Sequence, residues 1–162
     1  MQNTPESDPV ETNEIAENLD VVEMNLEERA THVQKAAYWF YAIAALSIIN
    51  VFLQAKGAYF IAGLAIPSFI DGFLIRDIIE VEPNYFIQFA GAAIFIFFGY
   101  FAAKLQRWAF IVGAIVYVID AAIYALVAQW LALAFHLFIL YKLFQGFRTI
   151  SEYEAIRKKL KA

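Results

Sequence analysis

The chain of 162 residues contains no cysteine and only two histidines, His32 and His136. Without cysteine it can form neither a disulfide framework nor a thiolate metal site, and two histidines exclude a histidine-rich metal cluster. The sequence also lacks a glycine-rich phosphate loop and a G-x-S-x-G nucleophile motif. We therefore predict no metal, no cofactor and no catalytic residue, and the sequence favours a protein without enzymatic activity.

Charged residues are also scarce, and apolar residues are correspondingly abundant. Hydrophobic residues make up 62% of the chain, against about 45–50% in soluble domains. They fall in runs long enough for a helix to cross about 30 Å of hydrocarbon. Composition and run length together predict an all-α, polytopic integral membrane protein located in the cell membrane.

The apolar runs predict a compact bundle of five hydrophobic helices within a membrane domain over residues 36–147. The second run is the least regular, because Pro67 interrupts it and Asp71, Arg76 and Asp77 crowd its second half. Four spans plus a re-entrant segment is therefore the alternative architecture. The five predicted segments cover residues 36–55, 58–79, 84–103, 108–128 and 130–147.

The two flanks of the membrane domain differ in charge. Residues 1–23 are acidic and poor in apolar surface, which predicts a disordered tail. Asn25 would cap an amphipathic helix over 24–35 that runs directly into the first span. Ser151 would cap a separate basic helix over 148–162. That helix is predicted to lie on anionic lipid head groups rather than on nucleic acid, through Arg157, Lys158, Lys159 and Lys161.

Lysine and arginine near the ends of spans favour the cytoplasmic side. With five spans, nine bases lie on the side of the C-terminus and three on the other; with four spans the division is ten against two. Both counts predict a cytoplasmic C-terminus. They leave the side of the N-terminus open.

Asp120 and His136 are polar residues inside predicted spans, where ionisable groups are rare and need a partner. Asp120 lies nine residues before the predicted turn at Gln129, and His136 lies seven residues after it. Antiparallel packing would bring both side chains to a similar depth. Tyr117 and Tyr124 share a helix face with Asp120, at i−3 and i+4.

Two further polar residues join this candidate site in the five-span arrangement. Asp71 precedes the connection at residues 80–83 by about nine residues, and Gln88 follows it, so both would lie in the same half of the bilayer as Asp120. The predicted site could line a cavity. The favoured interpretation is that its hydrogen bonds only fix the helix register.

The amino-acid sequences of these segments resemble those of a family of small, uncharacterised prokaryotic multi-span membrane proteins. The similarity covers about residues 36–148 and rests on FIAGLAIPSFIDGF, KLQRWAFIVGAIVYVIDAAIYAL and WLALAFHLFILYKLFQGF. These runs contain a Trp-Ala-Phe-Ile start, a Tyr-x-x-Asp and a Phe-His. Residue by residue, the resemblance points to Asp71, Trp108, Tyr117, Asp120 and His136, and it implies no activity.

Three functional classes remain open at this level. A structural or accessory membrane component is favoured, and the small-residue pair Gly99 and Ala103 would suit a homo-oligomer. A transporter-like or proton-relay protein that uses the Asp120 and His136 pair is the alternative. A membrane enzyme with a site in the outer half of the bilayer comes third.

Overall fold

The computed structural model describes residues 9–54, 64–69 and 85–161, and all regular secondary structure in these ranges is α-helical. Four helices are long: α1 (Pro9–Gln54), α3 (Tyr85–Ala103), α4 (Arg107–Leu126) and α5 (Trp130–Lys159). A fifth helix, α2 (Ala65–Phe69), has only five residues. Each of the four long helices is long and apolar enough to cross a membrane.

The four long helices run up, down, up and down around one core. Phe40 and Phe52 of α1 contact Phe98 and Phe89 of α3, at ring distances of 6.1 and 6.5 Å, so the two helices are antiparallel. α4 packs against α3 and α5, and α5 returns to α1. We call the end with residues 127–129 the hairpin end, and the opposite end, where α1 begins and α5 finishes, the terminal end.

An aromatic cluster fills the middle of the bundle. The buried ring of Phe40 lies 5.7 to 6.3 Å from the rings of Phe95, Phe98 and Phe110, which come from α3 and α4. Glycine allows the helix backbones to approach at this level: a Cβ on Gly99 would lie 3.0 Å from the ring of Tyr41. Gly99 thus lies where α3 packs closely against α1.

Two short turns of similar construction connect α3 to α4 and α4 to α5. Leu105 and Ala128 adopt φ angles of 59° and 55°, the left-handed conformation that ends a helix. In the second turn the amide of Gln129 donates to the carbonyl of Tyr124 at 2.9 Å, which is the 6→1 bond of a Schellman motif. The predicted hairpin with its turn at Gln129 is confirmed.

The predicted helix starts at Asn25 and Ser151 were wrong. α1 passes through Asn25, whose Nδ2 donates back to the carbonyl of Val21 at 2.8 Å instead of capping a helix. α5 likewise passes through Ser151, whose Oγ donates to the carbonyl of Phe147 at 2.8 Å. The predicted continuation of the first flanking helix into the apolar segment is confirmed, and Arg29 of α1 forms an ion pair with Glu152 of α5 beyond the apolar core.

The predicted disordered tail over 1–23 also differs from the structure, because α1 begins at Pro9. Residues 10–54 contain neither glycine nor proline, so nothing in the sequence interrupts the helix. Proline is well accommodated at a first helical position, where its missing N–H has no intrahelical partner to lose. Residues 1–8 lie outside the described ranges.

The predicted second span, residues 58–79, is described by the structure only over residues 64–69. On either side of it, α1 ends and α3 begins at the hairpin end of the bundle. Leu64 is not helical, and α2 starts at Ala65 and packs against α3 and α4. The other residues of the predicted 58–79 segment lie outside the described ranges.

Candidate functional site

Asp120 of α4 and His136 of α5 meet in the core near the hairpin end. Oδ2 of Asp120 lies 2.9 Å from Nε2 of His136, and both side chains have 0% exposure. The equal depth predicted by counting from the turn is therefore what brings them together. A carboxylate and an imidazole in such a setting need full hydrogen bonding, because neither is solvated by water.

The hydrogen bond of Nδ1 of His136 indicates how many protons the Asp120 and His136 pair carries. Nδ1 lies 2.8 Å from the carbonyl oxygen of Ala132, one turn earlier in α5. A carbonyl oxygen only accepts, so Nδ1 must carry a proton and donate it. One further proton then lies between Nε2 and Asp120, and the pair has zero net charge whichever partner holds it.

The other carboxylate oxygen of Asp120 binds the start of α2. Oδ1 accepts hydrogen bonds from the amides of Ala65 and Ile66, at 2.8 and 2.7 Å. These amides are the first two of the helix and have no intrahelical acceptor. Pro67 comes next and has no N–H, so Asp120 satisfies the donors that this first turn exposes. Asp120 thereby ties together α2, α4 and α5.

Two tyrosines of α4 enclose the imidazole. The ring of Tyr117 stacks on His136 with centroids 4.6 Å apart and planes inclined by 16°, and the ring of Tyr124 lies 4.7 Å away. The face predicted for these tyrosines is confirmed. The hydroxyl of Tyr117 is buried and has no hydrogen-bond partner in the described structure.

The remaining predicted members of the site have different outcomes. Asp71 lies outside the described residues. Gln88 is buried near the start of α3 and is engaged in an interaction of its own. The groups that contact the Asp120 and His136 pair are instead the rings of Tyr117 and Tyr124, the carbonyl of Ala132 and the first turn of α2.

Sequence reasoning missed the backbone amides of Ala65 and Ile66. A signal for them was present, because proline in the first turn is a common mark of a helix start. Pro67 was interpreted as a kink within a span, whereas it belongs to the first turn of α2. Gly91 of α3 provides the space for it: a Cβ there would lie 2.6 Å from Cγ of Pro67.

The chemistry available to the pair is to accept, hold or release a proton. In the part of the chain that the structure describes, no three histidine, aspartate or glutamate side chains come close enough to hold a metal ion. Among the side chains that the structure describes, no serine or threonine hydroxyl forms a hydrogen bond with the pair. The arrangement is that of a buried, internally satisfied polar contact.

Comparison of the chain with protein families, with curated proteins and with solved structures finds no match. The resemblance to a family of small prokaryotic membrane proteins therefore stays a prediction. Function has to be argued from the geometry of this chain alone.

Proposed function

We propose that this chain is an integral membrane protein that crosses the bilayer four times, with the region around α2 re-entering from the hairpin end. The outer faces of the helices support this proposal. All four long helices carry large apolar side chains that are more than half exposed. On a soluble monomer such a continuous apolar surface is rare. They include Phe52, Phe86, Phe97, Ile115, Val118, Ile119, Leu131, Leu137 and Phe144.

Charge supports an orientation with both termini in the cytoplasm. Ten bases belong to the terminal end or the helix extensions beyond it, and only Lys56 and Arg76 belong to the connection at the hairpin end. The exposed bases Arg157, Lys158 and Lys159 fall on the last turns of α5, and Lys161 follows them. At that position they would face the anionic inner leaflet, as the proposed lipid contact requires.

The role that the site supports best is structural or accessory, without transport or catalysis. The observation that carries this proposal is that both oxygens of Asp120 and both nitrogens of His136 are hydrogen-bonded at 0% exposure. Irregular backbone at membrane depth is tolerated only when protein satisfies its polar groups. Asp120 meets that requirement for α2, so we assign the pair the function of a clamp that holds the re-entrant segment.

Two substitutions at Asp120 test the clamp. In Asp120→Asn, the amide oxygen still accepts from Ala65 and Ile66, and its NH2 group donates to Nε2 of a neutral His136, so the fold should persist. Asp120→Leu leaves two amides and the imidazole unpaired and should lower the free energy of unfolding by about 3–5 kcal/mol. Thermal unfolding in detergent micelles measures both, with Ile119→Leu on the exposed face of α4 as the control.

A proton relay is the second candidate, and the hydroxyl of Tyr117, which has no hydrogen-bond partner among the described residues, is the observation that favours it. A buried hydroxyl without a partner costs about 1–3 kcal/mol, which a functional site can tolerate. This hydroxyl belongs to the ring that stacks on His136 and so adjoins a pair joined by one hydrogen-bonded proton.

Proton flux in liposomes separates the two candidates, because Asp120→Asn keeps the hydrogen bonds but cannot take up a proton. For a clamp, the wild type and Asp120→Asn should both show the flux of protein-free liposomes. Flux in the wild type that Asp120→Asn abolishes, with unfolding unchanged, would contradict the structural role and establish the relay.

A further inference from the structure

A second polar feature lies at the terminal end, far from the clamp, in a groove of about 520 Å³ between α1 and α5. We call it the cationic groove and define it by six of its lining residues: His32, Lys35, Trp39, Lys142, Arg148 and Glu152. The two helices touch beside it, since a Cβ on Gly146 would lie 2.5 Å from Cβ of Ala36. Its walls therefore belong to rigid, directly packed helices.

Positive charge predominates in the cationic groove. Lys35, Lys142 and Arg148 carry three cations against the single carboxylate of Glu152. That carboxylate is already hydrogen-bonded by Arg29 and by Nε of Arg148, and the Arg29 guanidinium holds the pKa of Glu152 below its ordinary value. Glu152 is thus fully ionised at neutral pH and committed to arginine, which leaves the two lysines without a counter-charge from it.

Trp39 adds an aromatic surface to the cationic groove. Its ring contacts Phe138 edge-on at 5.5 Å, and Nζ of Lys142 lies 5.6 Å from the centre of the same Phe138 ring. Tryptophan with lysine beside it is typical of the level where hydrocarbon meets head groups. Cations and an aromatic ring in one groove match a molecule with an anionic head and an apolar body.

We propose that the cationic groove binds the phosphate-bearing head group of an anionic phospholipid from the cytoplasmic leaflet. This inference rests on the proposed membrane function. Lys35 and Lys142 contact the phosphate from α1 and α5, Arg148 contacts it from six residues further along α5, and Trp39 lies against the start of the acyl chains. A free phosphate ion would bind the same cations as the head group, but it has no apolar part to contact the ring of Trp39.

The test measures lipid binding to the full chain in neutral detergent, by native mass spectrometry. Phosphatidylglycerol should bind and phosphatidylcholine should bind much more weakly. Lys35→Gln and Lys142→Gln should each weaken phosphatidylglycerol about fivefold, since a base near an anionic surface contributes about 1 kcal/mol. Lys104→Gln is the matched control, because Lys104 is at the same end of the bundle but lies over the Tyr100 ring, outside the groove.

Three results would overturn the proposal. Equal losses in Lys104→Gln and Lys142→Gln would mean general charge attraction, and inorganic phosphate that competes fully would mean a phosphate site without lipid specificity. Losses confined to Arg157→Gln and Lys158→Gln would place the lipid on the end of α5. A separate measurement tests the membrane proposal itself. If the chain does not span the membrane, alkaline carbonate should extract it from cell membranes, whatever its affinity for lipid.

Discussion

The hydroxyl of Tyr117 is a polar group of the core that is buried without a hydrogen-bond partner among residues 9–54, 64–69 and 85–161. Its ring is needed, because it stacks on His136 and lies edge-on to Phe95 at 5.8 Å. The hydroxyl is a separate matter, since an unsatisfied buried group destabilises the folded state. At this residue, ring and hydroxyl have opposite effects on stability.

Tyr117→Phe separates these effects. We expect the free energy of unfolding to rise by about 1 kcal/mol, because the ring contacts stay and the desolvation cost of the hydroxyl disappears. Thermal unfolding in detergent micelles measures this change. Tyr124→Phe is the control, since Tyr124 is half-buried and engaged and should gain nothing. A clear loss of stability in Tyr117→Phe would show that the hydroxyl is bonded in solution.

At the scale of elements, α2 is the piece whose position depends on others. Five residues cannot form a stable helix alone, so contacts must hold it in place. Asp120 binds its first turn, and Gly91 of α3 admits Pro67 against the backbone. The clamp and this glycine act on the same short element from two sides.

Gly91→Ala should therefore displace α2 while α3 persists. Alanine raises helix propensity by about 1 kcal/mol, but its Cβ would lie 2.6 Å from Cγ of Pro67, and such overpacking costs about 1–3 kcal/mol. In the otherwise cysteine-free chain, the labelling rate of Ile66→Cys should rise. Ala93→Val, which adds volume on the exposed face of α3, should leave that rate unchanged. Unaltered labelling in Gly91→Ala would mean that α2 is not docked there.

At the scale of the whole molecule, the packing puts the start of the helix bundle and its last helical turns at one end. Arg29 of α1 pairs with Glu152 of α5, and α1 ends and α3 begins at the hairpin end. In the four-span arrangement proposed above, the number of full crossings is even, and the division of bases is ten against two in place of nine against three. The packing of the described helices thus favours one of two arrangements that the charge rule alone could not separate.

Single cysteines test this topology without background, since the natural chain has none. Glu23→Cys and Lys159→Cys should react from the cytoplasmic side with an impermeant reagent, and Gln129→Cys from the opposite side. Intact cells compared with inverted vesicles give the measurement. If Glu23→Cys and Gln129→Cys reacted from the same side, the chain would cross five times and the re-entrant arrangement would be wrong.

Much of the architecture could be predicted because it depends on local pattern. Apolar runs located α3, the start of α5 and the hairpin between α4 and α5 to within two residues. Counting from Gln129 also paired Asp120 with His136, since antiparallel helices joined by a tight turn have only one register. Cap-like residues misled at Asn25 and Ser151, because their side chains bond just as well to the carbonyl four residues earlier within a continuing helix.

By itself, the amino-acid sequence determined that this protein consists of apolar helices and that Asp120 and His136 lie at one depth. Only the tertiary structure decided what Oδ1 of Asp120 binds, that Pro67 lies in the first turn of a short helix, and that the bundle starts and finishes at one end. The reason is physical: hydropathy and periodicity are properties of one segment, whereas hydrogen bonds to α2 and the direction of a chain after a turn depend on segments distant in sequence. Asp120 shows this most plainly, because counting along the chain finds its partner His136 but not the backbone amides of Ala65 and Ile66.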